Sequence, residues 1–250
     1  MGRREPVQAT SLARRNVLLG ALPPAELDRL AGDLEPVSLP RGTGLEEPNE
    51  EIEFVYFPTS GIASILALGE DGEAVDATMV GRDGMTGLAV FLGTGQMPFR
   101  TMVQLPLQGF RLRADALRTE LERTGLLATL LHRYTQVVMV SMAQLILCNR
   151  AHRLDQRAAR WLLQVDERVD EARFAVTQEF LAEMIGTQRP SLSIAMRQFK
   201  DAGLIKYSRG QITIADRGGL LERSCSCITV MHAEEQRLRD TVERHATARR

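Results

Sequence analysis

The spacing of apolar residues changes along the chain and divides it into segments of different secondary structure. From Val37 to Phe110, short runs of β-forming residues are separated by glycines and prolines, which is typical of a β-sandwich or β-roll. From Ala114 to about Asn149, apolar residues recur every three or four positions, which predicts a long helix. A shorter amphipathic helix is predicted from Leu154 to Val169. The pattern therefore predicts a β-rich domain, a long helix and a second, mainly helical domain.

The β-rich segment contains several short runs that are predicted as strands. They are Phe54–Phe57, Ile62–Leu68, Ala74–Val80, Thr101–Leu105 and Gly109–Leu112. A helix from about Leu22 to Leu34 is predicted before them, because Pro23 and Pro24 suit a first helical turn. Residues 1–15 are expected to form a flexible tail.

The long helix carries apolar residues at alternating spacings of four and three positions, as the seam of a coiled coil does. The seam consists of Leu127, Leu131, Tyr134, Val138, Ser141, Leu145 and Cys148. Further apolar residues lie beside it, so the helix is expected to pack both on its own domain and on a second copy of the chain. The alternative is an ordinary helix of the domain core.

Residues 177–200 carry the signals of two short helices joined by a tight turn. Thr177 can cap the first helix, Gly186 can end it in a left-handed conformation, and Pro190 suits the first turn of the second. Buried stripes are predicted at Phe180, Leu181, Met184 and Ile185, and at Leu192, Ala195, Met196 and Phe199. Two helices around a glycine-containing turn are typical of a helix-turn-helix. The alternative is a helical hairpin in an all-α domain.

The segment from Ile205 to Ile214 predicts a β-hairpin, or wing, after the second helix. Its apolar residues alternate around Ser208–Gly210, where Gly210 can adopt a positive φ. The polar face of the second helix would then enter a DNA major groove, with Arg189 as the main reader of a guanine. The residues predicted at base edges are Arg189, Ser191, Ser193 and Ile194. Those predicted at phosphates are Thr177, Gln188, Arg197, Lys200, Lys206 and Arg209.

The stretch from Leu181 to Ile205 resembles the helix-turn-helix of the Crp/Fnr family of bacterial transcription regulators. The matching residues are Leu181, Ala182, Gly186, Arg189, Ser191, Leu192, Ser193, Met196, Phe199, Gly203, Leu204 and Ile205. Residues 39–42 and 54–61 resemble, more loosely, the beginning of the cyclic-nucleotide-binding β-roll that precedes this motif in the family.

The resemblance implies a homodimer in which the long helix is the dimer interface and Asn149–His152 is the hinge to the DNA-binding domain. Two recognition helices would enter successive major grooves about 34–36 Å apart, so the operator is expected to be a near-palindrome. The implied partners are double-stranded DNA, a second copy of the chain and, as a further candidate, RNA polymerase. Pro190 and Ile194 depart from the charged residues that cyclic-AMP-type members carry at these positions, so their operator sequence is not implied here.

Charge is distributed unevenly, although the net charge is only −1. Residues 26–88 carry 14 acidic and 3 basic side chains, whereas residues 187–217 carry 6 basic and 2 acidic side chains. We therefore expect the C-terminal part to face DNA phosphates. Three cysteines make no disulfide framework, and no apolar run approaches the ~20 residues of a bilayer span, so a cytoplasmic protein without a membrane partner is expected.

The β-rich segment lacks both histidine and cysteine, since the first histidine is His132 and the first cysteine is Cys148. This disfavours a metal enzyme of the cupin type and an iron–sulfur sensor of the Fnr kind. The family's cyclic-nucleotide cassette is matched only in part, because Met85–Gly87 stand where its glutamate should be. A small-molecule effector pocket, if present, is predicted at Gly84, Gly87, Leu88, Arg100 and Thr101, with its ligand unknown.

Cys225 and Cys227, with His232 five residues further on, allow a metal or redox interpretation. The alternative, which the sequence favours, is the packing of small residues at a helix start, and Cys148 is expected to be a core residue. No metal site and no cofactor are predicted. No catalytic set of residues can be identified either, so an enzyme is not expected.

The sequence thus predicts an α+β chain with a β-roll (jelly-roll-like) sensor domain, a long dimerisation helix and a C-terminal winged helix-turn-helix domain. The predicted boundaries are 1–15 for the tail, 16–113 for the sensor domain, 114–150 for the dimerisation helix and hinge, 151–230 for the DNA-binding domain and 231–250 for an exposed C-terminal tail. The expected function is that of a DNA-binding regulator with an unknown effector or none. The alternative is a cyclic-nucleotide-responsive activator.

Overall fold

A computed structural model describes residues 11–70 and 73–247. The chain begins with two short helices, α1 (Val17–Ala21) and α2 (Pro24–Ala31). Asn16 caps α1, and its amide nitrogen donates to the carbonyl oxygens of Pro58 at 2.9 Å and Gly84 at 2.8 Å. The predicted flexible tail is wrong for residues 11–15, because Ala13 is buried and Arg15 pairs with Asp170. Residues 1–10 lie outside the described residues.

The N-terminal domain is built on a five-stranded antiparallel sheet. Its strands are β1 (Glu35–Leu39), β2 (Gly44–Glu46), β3 (Phe54–Leu68), β4 (Ala74–Val80) and β5 (Arg100–Arg113), and helix α3 (Leu88–Leu92) lies between β4 and β5. The strand order is β1-β5-β3-β4, and β2 also pairs with β5. The predicted fold class, a β-rich N-terminal domain before a long helix and a helical C-terminal region, is confirmed.

Strands predicted as separate elements merge into two long, bent strands. In β3, pairing with β5 shifts register between Pro58 and Ser60 and again after Ser60. Gly61 has φ +85°, and a Cβ atom there would lie 2.1 Å from the Pro106 carbonyl oxygen. Glycine therefore allows the strand to bend and continue where turn-forming residues would indicate an end.

The predicted long helix is divided in two, α4 (Ala114–Leu121) and α5 (Leu126–Ala151). Thr124 adopts φ +50°, and Gly125 is the N-cap of α5. Five of the seven seam residues, Leu127, Leu131, Tyr134, Val138 and Leu145, are at most 9 % exposed within a single chain. The first four belong to the core of the N-terminal domain, and the Tyr134 hydroxyl donates to the Met85 carbonyl oxygen at 3.1 Å. This burial leaves little of the predicted seam exposed for contact with a second copy.

The C-terminal part is helical and contains a small sheet. Its elements are α6 (Leu154–Asp166), β6 (Phe174–Ala175), α7 (Gln178–Ile185), α8 (Arg189–Asp201), β7 (Ile205–Ser208), β8 (Gln211–Ile214), α9 (Arg217–Arg223) and α10 (Cys227–Thr247). Residues of α10 expected in an exposed tail instead pack along α5, since Leu238 is 3 % exposed and belongs to the N-terminal core. That expectation is wrong for residues 231–244, where burial is described.

One apolar cluster contains residues of both domains. Trp161 of α6 and Phe180 of α7 lie in the same buried cluster as Ile62 and Leu105 of the sheet. The Arg41 guanidinium stacks 3.7 Å above the centre of the Phe180 ring. The first helix of the helix-turn-helix is therefore held against the β-rich domain.

Buried ion pairs join the same elements. Arg168 contacts Asp83 at 2.6 Å and Glu235 of α10 at 2.7 Å. The surrounding carboxylates raise the pKa of Arg168 in spite of its burial. In the part of the chain that the structure describes, no helix combines the length and apolar character needed to cross a membrane.

Candidate nucleic-acid interface

The turn between α7 and α8 is set by residues that the sequence identified. The Thr177 hydroxyl accepts a hydrogen bond from the Phe180 backbone N–H at 3.2 Å, which caps α7. Gly186 ends α7 with φ +68°, in the left-handed region that favours glycine. Gln188 is the N-cap of α8, and Pro190 lies in its first turn.

Helix α8 has one buried face and one exposed face. Leu192, Ala195, Met196 and Phe199 are buried, as predicted. At 3.6 residues per turn, Pro190, Ile194 and Arg197 lie opposite this stripe, and all three are exposed. Ile194 is 63 % exposed, so its side chain is free to contact a partner. Arg189 and Ser191 are exposed on the first turn.

Ser193 differs from the other residues predicted at base edges. Its hydroxyl lies 2.6 Å from the Gln178 side-chain oxygen and 3.0 Å from the Arg189 carbonyl oxygen. The side chain therefore links the two helices of the motif. This arrangement leaves Arg189, Ser191 and Ile194 as the exposed residues of the predicted reading face.

The wing is the predicted hairpin with one additional strand. Ile205 pairs with Ile214, and Ser208 pairs with Gln211. Arg209 and Gly210 have φ +51° and +76°, and positive φ at both central residues is the mark of a type I′ turn. Strand β6, which adds to the edge of β8, was not predicted because two residues give no periodic signal.

The cations predicted at phosphates are available. Arg197, Lys200, Lys206 and Arg209 are exposed, as is Arg189. Among the described residues, none of these five takes part in a salt bridge. They surround an exposed helix face and are not neutralised by these salt bridges, which suits a polyanion.

One residue that supports the motif was not predicted. Arg157 of α6 donates through a guanidinium nitrogen to the Ile185 carbonyl oxygen at the end of α7. A positive charge at a helix C-terminus is favourable, and it fixes the turn before α8. No local sequence pattern could have indicated this contact, because the two residues are 28 positions apart.

The predicted effector pocket is filled by the protein's own side chains. The Arg100 guanidinium pairs with Glu47 at 2.8 Å. The Glu46 carboxylate lies beside the buried Thr101 hydroxyl and the Gly87 backbone amide, and burial raises its pKa. Two carboxylates thus lie against residues that were predicted to hold a ligand phosphate.

The remaining residues of that pocket are packing positions. Leu88 is in the buried core, and a Cβ on Gly84 would lie 2.2 Å from the Tyr134 ring. A Cβ on Gly87 would lie 2.5 Å from a methyl group of Val55. An open cleft of about 280 Å³ does lie nearby, but it is lined by five glutamates, Glu46, Glu47, Glu50, Glu51 and Glu53. This negative charge disfavours a phosphate ligand.

The cysteines are buried, as the sequence analysis expected, but it did not predict that they meet. Cys148, Cys225 and Cys227 form one buried cluster, and His152 lies at its edge. A hydrogen bond from Cys225, together with the nearby charge of Arg160, lowers the pKa of Cys148 to about 4. The same hydrogen bond raises the pKa of Cys225.

His232, which the sequence analysis had associated with the cysteines, instead lies 2.9 Å from a Glu167 oxygen. The contact with this carboxylate raises the pKa of His232. His232 therefore belongs to an ion pair between α10 and the end of α6, and not to the cysteine cluster.

The exposed second helix, the wing and the surrounding cations define a winged helix-turn-helix DNA-binding protein with an attached β-rich domain. Residues 156–223 match the family of the Crp-like helix-turn-helix domain. The CRP-like cAMP-activated global transcriptional regulator of Mycobacterium tuberculosis is 25% identical over 224 residues, which cover 85% of this chain and 98% of that protein.

Solved structures show the same fold over most of the chain. FixK2 from Bradyrhizobium japonicum superposes with a TM-score of 0.66 at 16% identity, covering 77% of this chain and 98% of FixK2. A CRP/FNR family regulator from Thermus thermophilus superposes with a TM-score of 0.56 at 19% identity, covering 76% of this chain and 98% of that regulator. Over most of its length the chain is similar to Crp/Fnr-type transcription regulators, and residues 156–223 are a Crp-like helix-turn-helix domain.

Proposed function

We propose that the protein is a homodimeric regulator that binds a near-palindromic operator in the bacterial cytoplasm, with RNA polymerase as a further candidate partner. The observation that carries this proposal is the exposed face of α8, where Arg189, Ser191 and Ile194 project from a helix fixed on its other side. A single such helix covers only half of an operator. Two copies would present two helices to successive major grooves, about 34–36 Å apart.

Arg189 is proposed to read a guanine, because it is exposed at the first position of α8 and has two donors for the O6 and N7 acceptors. Binding-site selection from random DNA gives the operator, and fluorescence anisotropy then measures single-base variants. Arg189→Ala should cost about 1–3 kcal/mol at one base pair and relax specificity there. A uniform loss of affinity on every sequence would show instead that Arg189 contacts phosphate.

Arg209→Ala is the matched control, since Arg209 is an exposed arginine on the wing and not on α8. It should weaken binding equally on all sequences and flatten the dependence of affinity on salt. Phosphate contacts by Thr177, Gln188, Arg197, Lys200 and Lys206 are proposed on the same grounds of exposure and position. Alanine variants of Arg197, Lys200 and Lys206 should behave like Arg209→Ala, whereas those of the uncharged Thr177 and Gln188 should weaken binding without changing its salt dependence.

The dimer surface is proposed to be a second stripe of α5, since the predicted seam is already buried. Residues exposed at spacings of four and three are His132, Gln136, Met139, Ala143, Ile146 and Arg150. Met139 is 66 % exposed and Ile146 is 74 % exposed. A stripe of this kind, with apolar residues at its centre and polar residues at its ends, suits pairing with the same helix of a second copy.

Ile146→Glu tests this surface. The native chain should sediment as a dimer, and the variant should sediment as a monomer at micromolar concentration, because two glutamates would face each other across an apolar contact. Leu221→Glu is the matched control, since Leu221 is 46 % exposed on a different helix, α9. An Ile146→Glu variant that stays dimeric would place the interface elsewhere.

The effector is proposed to be absent or not a cyclic nucleotide, because Glu46 and Glu47 lie against the residues that would hold a phosphate. The second candidate is a cyclic-nucleotide-responsive activator, which the name of the mycobacterial relative favours. Isothermal titration calorimetry with cyclic AMP and cyclic GMP distinguishes the two. Saturable micromolar binding of either would support the second candidate.

A further inference from the structure

All three cysteines of the chain meet at one point, although they come from separate parts of the sequence. Cys148 and His152 are one turn apart at the C-terminal end of α5. Cys225 and Cys227 lie at the start of α10, on either side of Ser226. Nothing in the proposed DNA-binding function uses these four side chains.

The four potential ligand atoms converge closely enough to surround one ion. The Cys148 and Cys225 sulfur atoms are 3.4 Å apart, and the Cys227 sulfur is 3.5 Å from the His152 Nδ1 atom. All four atoms lie within 4.8 Å of one another. Tetrahedral zinc has Zn–S distances of about 2.3 Å and Zn–N distances of about 2.0 Å, which places neighbouring ligand atoms about 3.5–3.8 Å apart. The two contacts at 3.4 and 3.5 Å are close to these values.

The set of ligands selects the ion. Three thiolates and one imidazole form a closed tetrahedral set that is typical of structural zinc, and soft sulfur ligands exclude magnesium and calcium. An iron–sulfur cluster spreads its thiolates over several iron atoms, whereas these ligands surround a single point. A Cys148–Cys225 disulfide would need the sulfur atoms at about 2.05 Å and would leave Cys227 and His152 without a role.

We propose that Cys148, His152, Cys225 and Cys227 bind one structural zinc ion. The site would join the end of α5, where the hinge to the DNA-binding domain begins, to the start of α10. Since α10 packs along α5 and holds Arg168 through Glu235, the ion would fix the hinge relative to both domains. The proposal does not depend on operator recognition, so each can fail without the other.

Elemental analysis of the full-length chain tests the proposal. The protein should be purified without a histidine tag or chelator and measured for zinc, iron and copper by inductively coupled plasma mass spectrometry. We expect about one zinc per chain, as a closed set of four protein ligands binds one ion. Treatment with an organomercurial should release this zinc and consume three thiols for each ion released.

Two variants make the assignment specific. Cys225→Ser with Cys227→Ser should abolish zinc binding, and His152→Gln should weaken it by at least the roughly 10–100-fold typical of losing even an outer-sphere partner. His232→Gln is the matched control and should keep the zinc, because His232 pairs with Glu167. If the double serine variant fails to fold, His152→Gln and the thiol count of the native protein still decide the question.

Several outcomes would overturn the proposal. Three reactive thiols without bound metal would show an ordinary core cluster. One titratable thiol in the denatured protein would show a disulfide in place of the metal site. Iron together with acid-labile sulfide would show a cluster, and zinc retained by His152→Gln at unchanged affinity would remove His152 from the site.

Discussion

Asp76 is a buried carboxylate at the junction of the two domains. It lies on β4, it is 7 % exposed, and its Oδ1 atom has no hydrogen-bond partner in the described part of the chain. Burial raises the pKa of Asp76 to about 7 from an ordinary value of 3.8, and the positive charge of Arg160 on α6 only partly opposes this. We predict that Asp76→Asn stabilises the protein at neutral and alkaline pH.

The sign and the size of the effect follow from proton linkage. Below pH 3.8 Asp76 is protonated in both the folded and the unfolded chain, so its raised pKa does not lower the free energy of unfolding there. As the pH rises from 3.8 to about 7, the unfolded chain loses the proton while the folded chain keeps it, and stability decreases. One pKa unit corresponds to about 1.4 kcal/mol, so the accumulated loss approaches about 4 kcal/mol above pH 7.

Urea denaturation followed by circular dichroism between pH 4.5 and 8.5 measures this directly. The difference in unfolding free energy between Asp76→Asn and the native chain should be small at pH 4.5 and should grow to a few kcal/mol, at most about 4, at pH 8. Asp33→Asn is the control, because Asp33 is exposed on the same domain. Parallel curves for the native chain and Asp76→Asn across the whole range would refute the reasoning.

Two further substitutions probe the packing of the N-terminal domain and of its junction with the C-terminal helices. Gly84→Ala should destabilise the protein by about 1–3 kcal/mol in urea denaturation, because its Cβ would lie 2.2 Å from the Tyr134 ring. Gly32→Ala, which meets no atom within 4 Å, should change little, and equal effects of the two would contradict this account. Arg168→Met should cost about 3–5 kcal/mol, because it leaves buried carboxylates such as Glu235 unpaired, and an unchanged melting temperature would show that the pair is not needed.

The helix-turn-helix could be predicted from the sequence because its signals are local. The Thr177 cap, the left-handed Gly186, the first-turn Pro190 and the hairpin turn at Gly210 each depend on a few neighbouring residues. Backbone preferences of this kind depend on neighbouring residues and not on how the rest of the chain packs. These local signals are enough to predict the motif, the resemblance to the family and the exposed face of α8.

The packing of the long helix could not be predicted from local sequence. Helix α5 carries two stripes at spacings of four and three, one through Leu131 and one through Ile146. Both are compatible with a coiled-coil seam. Only the position of the β-rich domain, with Met85 against Tyr134, decides that the first stripe is core and the second is exposed.

The sequence by itself thus determined the order of the domains, the helix-turn-helix motif and the exposed face of its second helix. The tertiary structure alone decided that Glu47 pairs with Arg100, 53 positions away, and that Cys148 meets Cys225, 77 positions away. The physical reason is that caps, turns and periodic stripes arise from short-range backbone and side-chain preferences. Which side chains meet across 50 or more residues depends instead on how complete elements pack, and no local spacing encodes that.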